Sequence, residues 1–543
     1  MKLILKDYLK TLKEKDELDL LLGDLLLLDG YETHNKPKIG ERQYGVDIIA
    51  TKDNQVYVFV IKQQDITRSV WDSRPDSVRQ SLNDIFDVYI NMMMPESLKC
   101  MPINIIVSSN GALTDAVRPN WTGYVNTHSN YNGNSYKFDF WDIDRLVNMV
   151  YQLMFNENMF PEEMKGVLRK VLYFIDEDDF NNIYYEKIVD NYTNQLISNS
   201  NKDKKFVKFA NSFNLCIHLI VQWAFNSRKY KLGIRILEYT MIRYWFFLKE
   251  SNKFESVKHV TYLHTFVKLY EKANDNYFIE IQKIASFKIG IPLYNSIERR
   301  ILLYEIIALL SSYGIFLINR ISGSSSNKNV KEKIQNICNV IIQIVNNNED
   351  FLYPVFDNNI VELSILFSFL MRLNKSEDVK NLLNNLISGM QVNFYRNHKQ
   401  PAPTDDYSEA VYIDINGELT RYDASILFGG LIDWTCVVKD EQLYEYLLRF
   451  LRESFKNTTC QVWKINENEE DTLYNKNAVY LAGTGVAYDI NKSYEEHNDI
   501  IKKLDEKINC NNFSFCMYGF SELLIIICEY FHYPLILHIT END

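Results

Sequence analysis

The amino-acid sequence predicts an α/β domain over residues 1–155, one mixed sheet flanked by helices, followed by a large, mainly α-helical region. Three observations carry this. Strand-like and helix-like patterns alternate through the first 155 residues, whereas from about 156 onward apolar residues recur at spacings of three and four. A chain of 543 residues is also longer than a single core sustains, so two or three domains are expected. Finally, 46% hydrophobic and 24% charged residues describe an ordinary globular composition, which excludes global disorder.

The elements follow in order. Leu18 to Leu28 (LDLLLGDLLLL) predicts an apolar helix that stops at Asp29-Gly30, a C-terminal stop signal. Val46 to Ala50 and Val56 to Ile61 are β-type runs joined by the polar residues 51–55, which together predict a hairpin. A helix follows at about Ser77 to Met94, with Val78, Leu82, Ile85, Phe86 and Tyr89 on one face. Ile103 to Val107 predicts a strand ending in Ser108-Ser109-Asn110-Gly111, and Phe138 to Trp141 a short strand before a helix starting near Ile143.

Residues 156–398 form the first part of the helical region, split by the polar loop Ser322 to Lys328. A break at Lys399 to Asp406 leads into a mainly helical part at 407–543, with short strands expected at Val411 to Ile415 and Gln461 to Ile465. No fixed-period helical repeat stands out. Two apolar stretches, Ile301 to Ile318 and Phe520 to Ile539, contain acids (Glu305, Glu522 and Glu529), which favours buried helices over membrane spans. The scattered cysteines lack metal-ligand spacing and read as reduced thiols. The N-terminus lacks the apolar core of a secretory signal. Together these give a cytoplasmic expectation with no membrane partner. A net charge of −12 argues against a surface that is basic throughout, though a local basic groove is compatible with it. The histidines His218, His259, His264 and His532 read as core residues of apolar helices, and Leu481 to Gly485 (LAGTG) lacks the lysine of a phosphate loop.

The chemistry concentrates in Arg42 to Asp65 (RQYGVDIIATKDNQVYVFVIKQQD). Asp47 follows Gly45, where the backbone can pass close to a ligand. Two-residue alternation puts Val56, Val58, Val60 and Lys62 on one face and Tyr57, Phe59 and Ile61 on the other. Facing positions of a hairpin lie within about 5 Å, so Asp47 and Lys62 converge at one edge of the sheet. An acid beside a lysine is the minimal equipment for holding a hard cation near a water, and equally for a surface ion pair.

The segment resembles the PD-(D/E)xK nuclease superfamily, and within it the Mrr-like, restriction-endonuclease-like branch. Leu18 to Tyr31 resembles that family's first helix, whose acid falls on Asp19. Gly45 to Ala50 is similar to its Gly-x-Asp strand, which makes Asp47 the metal-binding aspartate. Val58 to Gln64 is similar to the strand bearing the catalytic lysine, which falls on Lys62. Ile103 to Arg118 resembles the later strand with its Ser-Asn-Gly turn, and Phe138 to Val150 the closing strand and helix. The likeness spans roughly residues 1–155. It implies a restriction-endonuclease-like fold and a Mg2+- or Mn2+-dependent DNA endonuclease of bacterial restriction or anti-phage type. The catalytic residues would be Asp47, Lys62 and Asp19, with the metal held by Asp47 and the Ile61 carbonyl. One position departs: where the family has an acid or glutamine two residues before the lysine, this chain has Val60, which implies the alternative of an inactive nuclease fold that binds DNA or protein.

Arg68, Arg74 and Arg79 follow the lysine strand and are candidates for DNA phosphate contacts, with Trp71 between them as a base-stacking ring. Gln80 and Asn83 are candidates to face the same site. The helical region is expected to act as a sensor, a partner-binding surface or a self-association module.

Overall fold

The structure is a computed structural model that describes residues 2–35, 44–74, 76–154, 162–175, 182–287, 296–321, 328–416, 422–464, 467–474, 484–505 and 513–533. The chain forms two compact units, Met1–Trp223 and Ala224–Asp543.

The first unit holds a six-stranded mixed sheet. It begins with α1 (Lys2–Thr11), a π-helical turn (Glu14–Leu18) and α2 (Asp19–Leu28). Gly30, at φ +85°, releases the chain from α2 as the sequence predicts. The strands β1 (Glu32–Asn35), β2 (Ile48–Lys52) and β3 (Gln55–Lys62) follow. Then come α3 (Val78–Asp84), which continues as a π-helical stretch to Met93, and the short α4 (Glu96–Lys99). The unit continues through β4 (Ile103–Ser109), α5 (Arg118–His128), β5 (Asn130–Tyr131), β6 (Asn134–Trp141) and α6 (Ile143–Leu153). Strand order is β1-β2-β3-β4-β6-β5, with β3, β4 and β6 parallel and the outer pairs antiparallel.

The predicted hairpin is present, but its loop is two residues rather than five. Asp53 and Asn54 both take positive φ (50° and 58°), the geometry of a tight hairpin turn that these two side chains tolerate. The mixed sheet flanked by helices is therefore as expected. Elements α1, β1, α5 and β5 add to it; short polar strands such as Glu32–Asn35 have no apolar period to betray them.

Alternation along β3 sorts its side chains as predicted. Val56, Val58 and Val60 enter a core with Leu82, Ile85 and Phe86 from the α3 side. On the other face, Phe59 meets the rings of Tyr31 and Trp141 edge-on. Helices α3 and α6 carry side-chain caps: Ser77 accepts from Gln80 N at 3.4 Å, and Asp142 from Arg145 N at 2.9 Å.

Helices α7 (Glu162–Phe174) and α8 (Ile183–Asn199) and most of α9 (Asp203–Asn226) also belong to the first unit, although the sequence reading groups them with the helical region at 156–398. One reason is visible in the hydrogen bonds. Ser212 on α9 donates to the Met154 carbonyl at the end of α6, and its hydroxyl pairs with Tyr192 of α8.

The second unit is mainly helical, comprising α10 (Tyr230–Glu250), α11 (Val257–Ala285), α12 (Ser296–Ile321), α13 (Lys328–Asn347), α14 (Ile360–Arg372), α15 (Ser376–Asn397) and α16 (Tyr407–Asn416). Beyond these lie β7 (Ala424–Ser425), α17 (Ile426–Val437), α18 (Glu441–Ser454), β8 (Thr459–Lys464), β9 (Thr484–Tyr488), α19 (Tyr494–Asp505), α20 (Ser514–Met517) and α21 (Glu522–Phe531). The strand expected at Val411 to Ile415 is instead the second half of α16, whereas the one expected from Gln461 falls within β8. The apolar stretch at 301–318 lies in α12, the one described helix long and apolar enough to cross a membrane; its most apolar window is 78% buried within the protein. Of the second stretch, residues 520–533 carry α21, and 534–539 lie outside the described residues, as does Ser322 to Asn327.

Gly45 has a structural duty different from the one its sequence position suggests. At φ +80°, it lies where a Cβ would stand 2.0 Å from the Ser81 carbonyl oxygen, so it admits the backbone of α3 rather than a ligand. Gly45→Ala is expected to lower stability by about 2–4 kcal/mol through combined strain and overlap, read as a lowered urea midpoint with an unchanged slope.

Candidate functional site

The site lies where β2 and β3 part. Pairing of the two strands starts at Ile48 opposite Phe59, so Asp47 stands just outside the ladder. Its backbone N–H still donates to the Phe59 carbonyl at 2.9 Å, while its carboxylate Oδ2 accepts the Ile61 N–H at 2.6 Å. The side chain thus stands in for the strand that has ended. Oδ1 accepts no hydrogen bond among the described residues.

Lys62 closes β3 and is only 7% exposed. A buried ammonium requires an anion, and Lys62 finds one in Glu14 on the π-helical turn, with Nζ to Oε1 at 3.3 Å. Glu14 is the site residue that sequence reasoning missed. It sits in a charged run (KEKDELD) with no apolar frame to single it out, and only tertiary packing carries it to Lys62.

That packing runs through Asn110. Its Nδ2 donates to the carbonyls of both Leu9 and Leu12 at the end of α1, each at 2.8 Å, and its Oδ1 accepts Gln64 N at 2.7 Å. The neighbouring Ser109 hydroxyl donates to the Gln64 carbonyl at 2.6 Å. Gln64 itself takes φ +68°, and a Cβ on Gly111 would stand 2.3 Å from the Asp65 nitrogen, so this turn needs glycine for close approach. The Ser-Asn-Gly turn therefore ties the end of β3 to the end of α1 and so brings Glu14 beside Lys62. It also turns the chain after β3 into a loop in which Asp65 accepts from Ala112 N at 2.8 Å.

Asp19, 8% exposed, opens α2, and its carboxylate joins those of Glu14 and Asp47 electrostatically. Burial pushes the Asp47 carboxyl up to about 6. The Ile61 N–H and the Lys62 charge pull it down, and Glu14 and Asp19 push it up further. Three carboxylates around one lysine leave the site short of positive charge. Val60 takes no part: it is fully buried in the apolar core below α3 and offers no oxygen.

Whether these groups fit a divalent cation is decided by the donors. Among the described residues no group of three or more His, Cys, Asp or Glu is gathered closely enough to hold a metal ion. Mg2+, however, commonly takes one or two carboxylates and completes its shell with water and phosphate. The unbonded Asp47 Oδ1, with Asp19 nearby, meets that lesser demand.

Arg68, Arg74 and Arg79 are exposed, and none has a carboxylate partner among the described residues. Trp71, in contrast, is 1% exposed and packs edge-on against Trp121 and Tyr124, so it is a core residue and not a stacking platform. Asn83 accepts from the Tyr124 hydroxyl at 3.0 Å and Gln80 donates to Asp84 at 2.9 Å, so both serve α3 and its surroundings.

Of the histidines expected in the core, His259 is buried against Ser256, and His218 is half-buried, 2.8 Å from the Asn214 carbonyl. His264 is exposed, although its ring packs on Phe520. His532 departs from expectation: it ends α21 in the left-handed conformation, half-exposed, facing Glu362 at 3.5 Å.

The raised Asp47 carboxyl makes a signed prediction. Between pH 4 and 6 the folded protein holds a proton on Asp47 that the unfolded chain has released, so this group's contribution falls as pH rises through that window and is constant above it. Asp47→Asn is expected to remove that fall, so that its stability relative to wild type climbs from pH 4 to 6 by at most about 3 kcal/mol and then levels. Chemical denaturation across this range checks it. A variant less stable than wild type at pH 7 would mean that the bond to Ile61 outweighs the burial cost.

No family model, curated protein or solved structure matches this chain.

Proposed function

We propose that residues 1–155 form a metal-dependent DNA endonuclease of the bacterial restriction or anti-phage type, cytoplasmic, with the helical region as a sensor, partner-binding or self-association module. The observation that carries this reading is the buried Lys62 at the end of β3, placed among Asp47, Glu14 and Asp19. An ammonium among carboxylates at a strand end suits phosphodiester hydrolysis, because it stabilises charge on a phosphate oxygen as the nucleophile arrives. Arg68, Arg74 and Arg79, exposed on the segment following β3 and without a carboxylate partner among the described residues, suit contact with a phosphate backbone.

A cation held by Asp47 and Asp19, with the Ile61 carbonyl as a further donor, would supply Lewis-acid stabilisation of the phosphate and acidify a water. The chain's own residues contribute the rest. Asp47, anchored by Ile61, keeps one carboxylate oxygen directed by the strand ladder rather than by a mobile loop. Lys62 must exchange its pairing with Glu14 for one with the substrate phosphate. Glu14, once released, is a carboxylate within reach of a proton on the attacking water.

The alternative is an inactive nuclease fold that binds DNA or protein. Val60 favours it, since the position where the resembled family carries a ligand is here part of the apolar core. Val60→Glu is therefore expected to destabilise the protein by several kcal/mol, roughly 3–5, rather than complete a site.

The decisive experiment incubates plasmid and linear DNA with the full chain and Mg2+ or Mn2+. Cleavage is expected, and Asp47→Ala and Lys62→Ala are each expected to reduce it by at least about a hundredfold, with Glu14→Gln reducing it less. Cleavage indifferent to Asp47 and Lys62 would remove these residues from the chemistry. DNA binding that survives without cleavage in either metal would establish the alternative.

A further inference from the structure

The second unit carries a partly open pocket of about 310 Å3 lined by residues of α10, α12, α14, the end of α21 and the loops at Phe356–Asn359 and Asp405. Its charged lining is Arg235, Glu305, Glu362, Asp405, Glu529 and His532. We propose that this cavity binds a small organic cation carrying ammonium or guanidinium groups on a short hydrocarbon chain.

The charges on the two sides of the cavity are satisfied very unequally. On one side Arg235 donates to Glu529 and, at 3.0 Å, to the fully buried Glu238, and approaches Glu305 at 3.5 Å. Lys231 completes that side by bonding Glu305 at 2.9 Å. The cations there are already committed. On the other side Glu362 is 6% exposed, and a carboxylate offers about four acceptor positions. It accepts its own backbone N–H and a 3.4 Å bond from Asn359, and the His532 ring lies at 3.5 Å. Asp405 accepts no hydrogen bond among the described residues. Burial pushes the Glu362 carboxyl above its ordinary range, whereas Asp405 stands in an exposed loop.

The lining carries four carboxylates against one arginine and one histidine, and neither Glu362 nor Asp405 has a lysine or arginine partner among the described residues. A ligand that brings a positive charge and several N–H groups meets that imbalance. The apolar part of the lining, Ile301, Phe356 and Val361, suits a few methylene groups between such ends. A divalent ion is the poorer match, since among the described residues no three carboxylate or imidazole side chains gather around one point. The size of the cavity is at the lower end for small-molecule sites, which start near about 300 Å3.

This inference is independent of the nuclease reading and is tested by binding alone. Titration calorimetry of the full chain with 1,4-diaminobutane and with agmatine is expected to show saturable binding of at least one, and none of the uncharged 1,4-butanediol. Glu362→Gln, which keeps the shape and removes the charge, is expected to weaken binding at least tenfold, and Asp405→Asn severalfold. Glu280→Gln, an exposed acid paired with Lys283 elsewhere in this unit, is expected to change nothing. Circular dichroism checks that Glu362→Gln folds; should it not, Asp405→Asn in the exposed loop decides. The proposal fails if neither amine binds at millimolar concentration, if the diol binds as well as the diamine, if the folded variants bind like wild type, or if Ca2+ displaces the amine in a Glu362-dependent way.

Discussion

The ammonium of Lys62, buried where β3 ends, sets the terms for the residues around it. A lysine at the tip of an apolar strand normally reaches water along its flexible stem, but here the sheet, the Ser-Asn-Gly turn and the N-terminal helices close over it. Because an uncompensated buried charge costs several kcal/mol, a carboxylate must come to it. Glu14 does so from a π-helical turn, a rare conformation that appears where a helix end is adjusted to meet a specific contact. The three hydrogen bonds of Asn110 hold that adjustment in place, so the geometry of the candidate site depends on a residue that touches neither Asp47 nor Lys62.

Asp47 uses one carboxylate oxygen to complete the sheet. That oxygen replaces the missing strand at Ile61, which fixes the side chain, and the other accepts no hydrogen bond among the described residues. Its raised carboxyl records the tension between burial and that single strong bond. Val60, on the neighbouring position of β3, belongs instead to the core beneath α3. That position of the sheet is given to packing, and the acids near Lys62 other than Asp47 come from the N-terminal helices.

The second unit treats buried charge differently. Asp357, for example, is saturated: the hydroxyls of Tyr422 and Ser425 and the backbone N–H groups of Ile426 and Leu427 all donate to it at the start of α17. Glu470 is likewise held by Tyr474 and by the Ser514 backbone and hydroxyl. Against these fully bonded acids, Glu362 and Asp405 have no lysine or arginine partner among the described residues, and the pocket they line carries more carboxylates than cations.

Local pattern determined much of the first unit. Alternation in VYVFVIK placed Val56, Val58 and Val60 on one face and Phe59 on the other; Asp29-Gly30 ended α2; and the Asp-Asn pair made the hairpin, all because these features act within a few residues. The pairing of Asp47 with the end of β3 followed from the same hairpin. Only the tertiary structure decided the rest. Glu14 reaches Lys62 across 48 residues, Asn110 reaches Leu9 across 101, Trp71 turns inward against Trp121, and α16 forms where the sequence suggested a strand. The cavity of the second unit gathers residues from Arg235 to His532. Contacts between segments so far apart are set by which surfaces the folded chain buries together, and no spacing within the sequence encodes that.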